Sequence, residues 1–415
     1  MKNILFISPT GTLDNGAELS IIQLMALLQE KGYRIINVVQ DGASQFRSDY
    51  EKEMSSRGIT LYSISLAKWW WPEAPGGIIN DMETATLEYQ NAIFRIKDII
   101  HEEKIDLVIS NTVNVFLGAI AASLTNTPHY WLIHEFPDDE FSYYKTKIPF
   151  VAEMSNAIFT VDGNLKEVWQ KLVPDKEIQG FIPYTRVTPK KELSQGEKTR
   201  FVSIGRINER KNQLALLKAY HQLDRQDIEL CFIGPWDDEY KNLCDEYIQK
   251  NSLMNVKFLG YQNNPWDLVT DKDICVFPSK TETFGLVYIE AVLNGLPVIA
   301  SDNLGHKTVQ QLFELPRLYP AAEITQLKQQ MADSLEIFDD KKIEAVDYQS
   351  HVLKRYAPEV AYQNIVAQIE DGDRQANQSI QAIEFLLTGV TRKTKLEILG
   401  RKLSQFLTRI RQRME

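Results

Sequence analysis

Apolar, strand-like segments alternate with amphipathic, helix-like ones along this chain, and that alternation restricts it to one kind of architecture. Residues 4–7, 33–39, 105–110, 129–134 and 157–161 read as short buried strands, and residues 17–31 carry the three- and four-residue spacing of a helix. Strands that are apolar on both faces and separated by helices build parallel sheets covered on each side. Residues 184–198, with prolines and charges but little apolar pattern, read as a linker, and a new strand and helix series begins at Phe201. A chain of 415 residues that is 44% hydrophobic can bury two ordinary cores. The expectation is an α/β chain of two doubly wound halves, residues 1–183 and 199–356, facing a central cleft.

The most informative local pattern spans Glu282 to Glu290. A buried strand at 273–277 is followed by a loop at 278–283, and a helix at 284–294 is stopped by Gly295 and Pro297. In an open parallel sheet, ligands bind at the carboxyl ends of the strands, and the first amides of the next helix attract anions. The amides of Thr283, Phe284 and Gly285 are therefore candidate donors. Two carboxylates eight positions apart can accept neighbouring hydroxyls at two places on one ligand. The bland alternative is that Glu282 is an ordinary helix-start charge and Glu290 a solvated one.

A second pattern lies after the predicted strand 201–204. Gly205 lets the backbone pass close to a ligand, and Arg206 and Lys211 place two cations before an amphipathic helix at 214–223. Alone, basic residues at a helix start face solvent; with the acidic pair they suit a diphosphate bearing a sugar and a ribose.

With these residues the sequence resembles the glycosyl transferases group 1 family, a retaining family with the GT-B fold, in which two Rossmann-like domains face a central cleft. The resemblance rests on the strand and glycine loop at 4–18, His134, the turn from Gly205 to Lys211, and Glu282 to Glu290 with the following GLPVIAS. It implies that Glu282 and the amides after it hold the donor sugar, that Glu290 binds the ribose, and that Arg206 and Lys211 bind the diphosphate. It also implies that the loop carrying Gly16 approaches the phosphates and that His134 lies against the sugar. Catalytic roles fall to His134, Glu282, Arg206 and Lys211. Donor binding falls to Gly16, Gly205, Arg206, Lys211, Thr283, Phe284, Gly285, Leu286 and Glu290. Helices at 357–390 are implied to cross back to the first domain. The chain departs from the family at Asn15, at Thr283, and at 303–307, where members often carry two glycines and an acid but this chain reads NLGHK.

The acceptor side is less legible. Trp70 and Trp71 lie in a run of three tryptophans that cannot all face one core, so at least one suits exposure or cover of a groove. Asp138 stands in an acidic loop that can meet an acceptor hydroxyl or simply be solvated. Residues 391–415 hold eight basic and two acidic side chains, with Leu396, Leu399, Leu403, Phe406, Ile410 and Met414 on one face. Such a helix can lie on an anionic membrane or pack on a partner helix.

Net charge of −10 argues against nucleic acid as a partner. Cys231, Cys244 and Cys275 read as core thiols of a reducing cytosol. The short apolar run at 4–7 is a strand and not an export signal, and no stretch reaches the roughly twenty apolar residues that span a bilayer. The expected location is the cytoplasm, including the inner face of the plasma membrane.

Asp271-Lys272-Asp273 is an Asp-x-Asp in a setting wrong for a divalent ion, with Asp271 at the end of a helix and Asp273 opening a strand, so no metal and no cofactor is expected. The reading as a whole is a metal-independent hexosyltransferase that moves a sugar with retention from a nucleoside diphosphate, uridine being the commonest base, to a lipid-linked or cell-surface glycan. A non-catalytic partner subunit, a phosphorylase or a nucleotide-sugar epimerase of the same architecture are the alternatives.

Overall fold

The computed structural model describes residues 2–13, 15–42, 47–66, 82–185 and 193–381, without the side chains of 82–85, 139 and 140. Trp70, Trp71 and the basic segment 391–415 lie outside the described residues.

Two parallel sheets form the frame. The first contains β1 (Asn3–Ser8), β2 (Arg34–Gln40), β3 (Thr60–Ile64), β4 (Leu107–Asn111), β5 (His129–Ile133), β6 (Ala157–Val161) and β7 (Ile178–Phe181), in the order β3-β2-β1-β4-β5-β6-β7. The second contains β8 (Arg200–Ile204), β9 (Glu229–Ile233), β10 (Val256–Phe258), β11 (Asp273–Phe277) and β12 (Val298–Ala300), in the order β10-β9-β8-β11-β12. Strands such as β4, β5, β6 and β11 are buried at every position, as two-sided cover by helices requires. The three cysteines are free and buried.

Strand order reverses between β1 and β4 in the first sheet and between β8 and β11 in the second. At such a switch point the crossover helices depart to opposite faces and leave a crevice beyond the strand ends. The loops after β1, β8 and β11 therefore open onto that crevice because of the topology itself.

The C-terminal helices cross back to the first sheet. Helix Gln363–Asp371 packs on β7, and the short helix Pro358–Ala361 packs on helix Gly16–Glu30. Two buried tyrosines tie this crossing together. The Tyr362 hydroxyl donates to the Ser20 carbonyl at 2.7 Å and accepts from the Tyr184 amide at 3.2 Å. The Tyr356 hydroxyl donates to the Pro183 carbonyl at 2.8 Å and accepts from the Thr185 amide at 2.8 Å. The lobes also meet across the mouth, where the Asn164 amide group donates to the Leu304 carbonyl and the Thr308 hydroxyl, each at 3.1 Å. Among the described residues, no helix is long and apolar enough to cross a membrane.

Two local details differ from the sequence reading. The helix expected at 284–294 runs from Leu286 to Leu293, because Gly285 at φ 96° is left-handed and caps the helix instead of entering it. Asp271 follows a 3₁₀ turn at Pro265–Leu268 by three residues and does not end a helix.

Candidate active site

The first-lobe loop after β1 is fixed by a buried acid. Asn15 caps helix Gly16–Glu30 by accepting the Glu18 amide at 3.0 Å. One Glu18 oxygen accepts the Thr10 and Gly11 amides at 2.9 and 3.0 Å and the Thr10 hydroxyl at 2.9 Å. The Arg47 guanidinium holds the same two residues from the other side through their carbonyls, at 3.3 and 3.1 Å. Burial raises the Glu18 carboxyl, and the two amides that it accepts counter that rise. The loop is thus set rigidly, and Gly16 faces Leu286 of the other lobe so closely that a Cβ there would lie 2.8 Å from Cδ1 of Leu286.

His134 follows β5 directly. Its amide donates to the Glu135 carboxylate at 3.0 Å, and its ring stands edge-on to Phe181 at 5.1 Å. The ring Nε2 is buried with no hydrogen-bond partner among the described residues. Burial holds this imidazole down to about 3, so it is neutral at physiological pH. An orphaned, neutral nitrogen is suited to a ligand hydroxyl and unsuited to a charged role.

The acidic pair sits in the second lobe. Glu282, with a side chain 9% exposed, places Oε1 2.6 Å from Lys211 Nζ and Oε2 2.9 Å from Arg210 Nη1. Burial alone would raise its carboxyl, but the two cations bring it down to about 2, so Glu282 is ionised. Lys211 is itself only 15% exposed. Glu290 accepts the Trp266 indole N–H at 3.0 Å, and its carboxyl is raised by burial against hydrogen bonds from Thr185 and Trp266. No hydrogen bond from the Thr283, Phe284 or Gly285 amide occurs among the described residues, and these groups lie at the start of helix Leu286–Leu293. The Phe284 ring is buried in the core, leaving only its backbone for a ligand.

Arg206 and Asp138 stand near the surface, each paired with a side chain of opposite charge. The Arg206 guanidinium is about half exposed and pairs with Asp237 at 3.3 Å, not with Glu282. Gly205, at φ 135°, lies beside the Lys211 chain, and the loop leaves Arg206 on the rim because Gly234 packs directly against the Gly205 carbonyl. Arg210 takes the inner position. Asp138 is exposed and pairs with Lys145 at 2.9 Å. Asp271 accepts the Gly196 amide at 2.8 Å, and Asp273 is held by Arg200 at 2.7 and 2.6 Å, so both acids of the Asp-x-Asp serve the fold. Among the described residues no cluster of three metal-ligating side chains occurs.

Sequence reasoning passed over Arg210, Trp266 and His306. Arg210 was within the basic run, but its neighbour Arg206 matched the family spacing. His306 stood in the 303–307 departure without a role. Nothing in the sequence marks Trp266 as the partner of Glu290.

Two Rossmann-like lobes joined by helices that return to the first, with loops of both switch points facing each other, define the GT-B fold. Residues 185–342 match the sequence model of the family described as Glycosyl transferases group 1. That segment, the second lobe, carries the family's sequence, and the relatives that match most of the chain are named as glycosyltransferases. It is 23% identical over 323 residues to the capsular polysaccharide biosynthesis glycosyltransferase CapH of Staphylococcus aureus, covering 72% of this chain and 81% of that protein. A shorter match, 31% identical over 109 residues, covers 26% of this chain and 29% of an N-acetylgalactosaminyltransferase of Campylobacter jejuni, whose name specifies a diphospho-undecaprenol acceptor. Among solved structures, Anabaena HepE in complex with UDP-glucose superposes with a TM-score of 0.71 at 17% identity, over 90% of this chain and 100% of that one.

Proposed function

We propose that this chain transfers a hexose from a uridine diphosphate sugar to a hydroxyl of a lipid-linked or cell-surface glycan, with retention at the anomeric carbon and without a divalent metal. The observation that carries this reading is the Lys211–Glu282–Arg210 cluster at the mouth of helix Leu286–Leu293. It brings fixed cations, an ionised hydroxyl acceptor and unpaired amides to one spot, which is what a sugar joined to a diphosphate requires. The UDP-glucose bound to HepE and the lipid-linked acceptor in the name of the Campylobacter relative give the direction for donor and acceptor.

In the reaction, the bond from the anomeric carbon to the β-phosphate oxygen breaks, and its electron pair leaves with the diphosphate. The acceptor oxygen bonds to the same face of the sugar, and its proton passes to the departing phosphate. Lys211 and, by reaching inward from the rim, Arg206 stabilise the charge that grows on the diphosphate. Each such preorganised donor typically lowers the barrier by about 2.7–4 kcal/mol. Glu282 accepts sugar hydroxyls, Glu290 accepts the ribose hydroxyls, and the neutral His134 meets a hydroxyl on the first-lobe side.

Incubating the chain with a panel of UDP-hexoses tests this. Slow release of UDP and free sugar from one donor is expected. Interconversion of the sugars would point instead to an epimerase, and no turnover with retained binding to a non-catalytic subunit.

A further inference from the structure

The second lobe contains a histidine to which the donor-site reading assigns nothing. His306 lies in the first turn of helix Leu304–Phe313, after β12, and is 2% exposed. Its ring fills the space under Gly285: a Cβ on that glycine would come within 2.8 Å of the His306 Cδ2. With Lys211 and Glu282 it lines one small cavity beneath the donor turn. The neighbouring Gly305 presses on the Glu282 carbonyl, where a Cβ would lie 2.5 Å away.

The ring is held in one orientation. Nδ1 donates to the Ser301 carbonyl at 2.9 Å, which leaves Nε2 without a proton in the neutral ring. Asn303 caps the helix through the His306 amide at 2.9 Å and donates to the Ser279 carbonyl at 3.1 Å. The Ser301 hydroxyl donates to that same Ser279 carbonyl at 2.6 Å. The loop after β12 therefore grips the loop after β11 at both ends of residues 279–285, by hydrogen bonds at Ser279 and by ring contact at Gly285. Burial brings the imidazole down to about 4, with Glu282 opposing that, so the wedge stays neutral at physiological pH.

We propose that His306 is a positioning residue for the sugar half of the donor: its ring, wedged between Gly285 and Glu282, sets the turn that aims the Glu282 carboxylate and the following amides at the sugar. Lys211 is anchored in a different loop, where its amide donates to the Asn208 side chain at 2.9 Å, and Glu290 is held by Trp266 and Thr185, so the nucleotide half is positioned from outside this wedge. The inference rests on the donor reading above.

The test is calorimetric titration of wild type, His306→Ala and His306→Asn with UDP and, separately, with the UDP-hexose that wild type binds best. Asparagine keeps a donor near Nδ1 for the Ser301 carbonyl but removes the ring, so it serves if the alanine variant does not fold. In a folded variant, UDP affinity is expected within about twofold of wild type, and UDP-hexose affinity at least about tenfold weaker. In turnover assays the donor KM should rise while the acceptor KM stays unchanged. Equal loss of UDP and UDP-hexose binding, or loss of neither, would overturn the assignment. Failure of wild type to bind UDP at all would overturn the donor reading, and this inference with it.

Discussion

Lys211→Met separates the structural and the chemical work of one ion pair. In the folded chain Lys211 Nζ sits 2.6 Å from Glu282 Oε1, with the two side chains 15% and 9% exposed. Removing one partner of a buried pair typically costs about 3–5 kcal/mol, because the remaining charge is left in a poor solvent. Here Arg210 still holds the other carboxylate oxygen at 2.9 Å and is 40% exposed, so the loss should fall below that range, at about 2 kcal/mol. Methionine keeps most of the stem volume and limits the change to charge. Adding Glu282→Gln removes the stranded charge, so the double variant should regain about half or more of the lost stability in a denaturant titration. Turnover behaves differently. Lys211→Met should lower kcat by about 10²–10³-fold if Nζ meets the diphosphate in the transition state, and Glu282→Gln should restore none of it. Near-normal turnover in Lys211→Met would refute the chemical role. A double variant no more stable than Lys211→Met would refute the claim that Glu282 is stranded by the substitution.

Arg206→Ala removes only a half-exposed pair with Asp237, so the melting temperature should hardly move, within about 1 kcal/mol, while kcat drops if the side chain swings inward to the diphosphate. Unchanged kcat would assign Arg206 to the rim alone. Gly305→Ala puts a Cβ 2.5 Å from the Glu282 carbonyl, a backbone contact that cannot yield cheaply; both melting temperature and UDP-hexose affinity should fall, and retention of both would show that the loops after β11 and β12 are not locked together. Acid should destabilise the fold. His129 and His134 are held down to about 3 and His306 to about 4 by burial, so each stays neutral in the folded chain while it protonates in the unfolded one. Their contribution is complete above about pH 6.5 and is lost as pH falls below it, at about 1.4 kcal/mol per unit for each ring until the folded pKa is reached. Denaturant titrations at pH 7 and pH 5 check this, and equal stability at the two values would contradict the burial of these rings.

The sequence by itself determined the class of fold and much of the site's chemical content. Hydrophobic periodicity is a local property, and β1, β2, β4, β5, β6, β8 and β11 lie where it indicated. Gly285, Glu282 and Glu290 could be placed relative to one another because a single strand-loop-helix unit carries all three. What the sequence could not decide was which side chains meet across units. Arg206 and Arg210 have the same charge in the same run; the choice between them came from the path of the loop after β8, which packs on Gly234 and turns Arg206 toward Asp237. Trp266 reaches Glu290, and His306 reaches Gly285, only because parallel strand order sets their loops side by side. Local propensity is written in neighbouring residues, whereas the pairing of a buried charge depends on which distant segment is close enough to replace water.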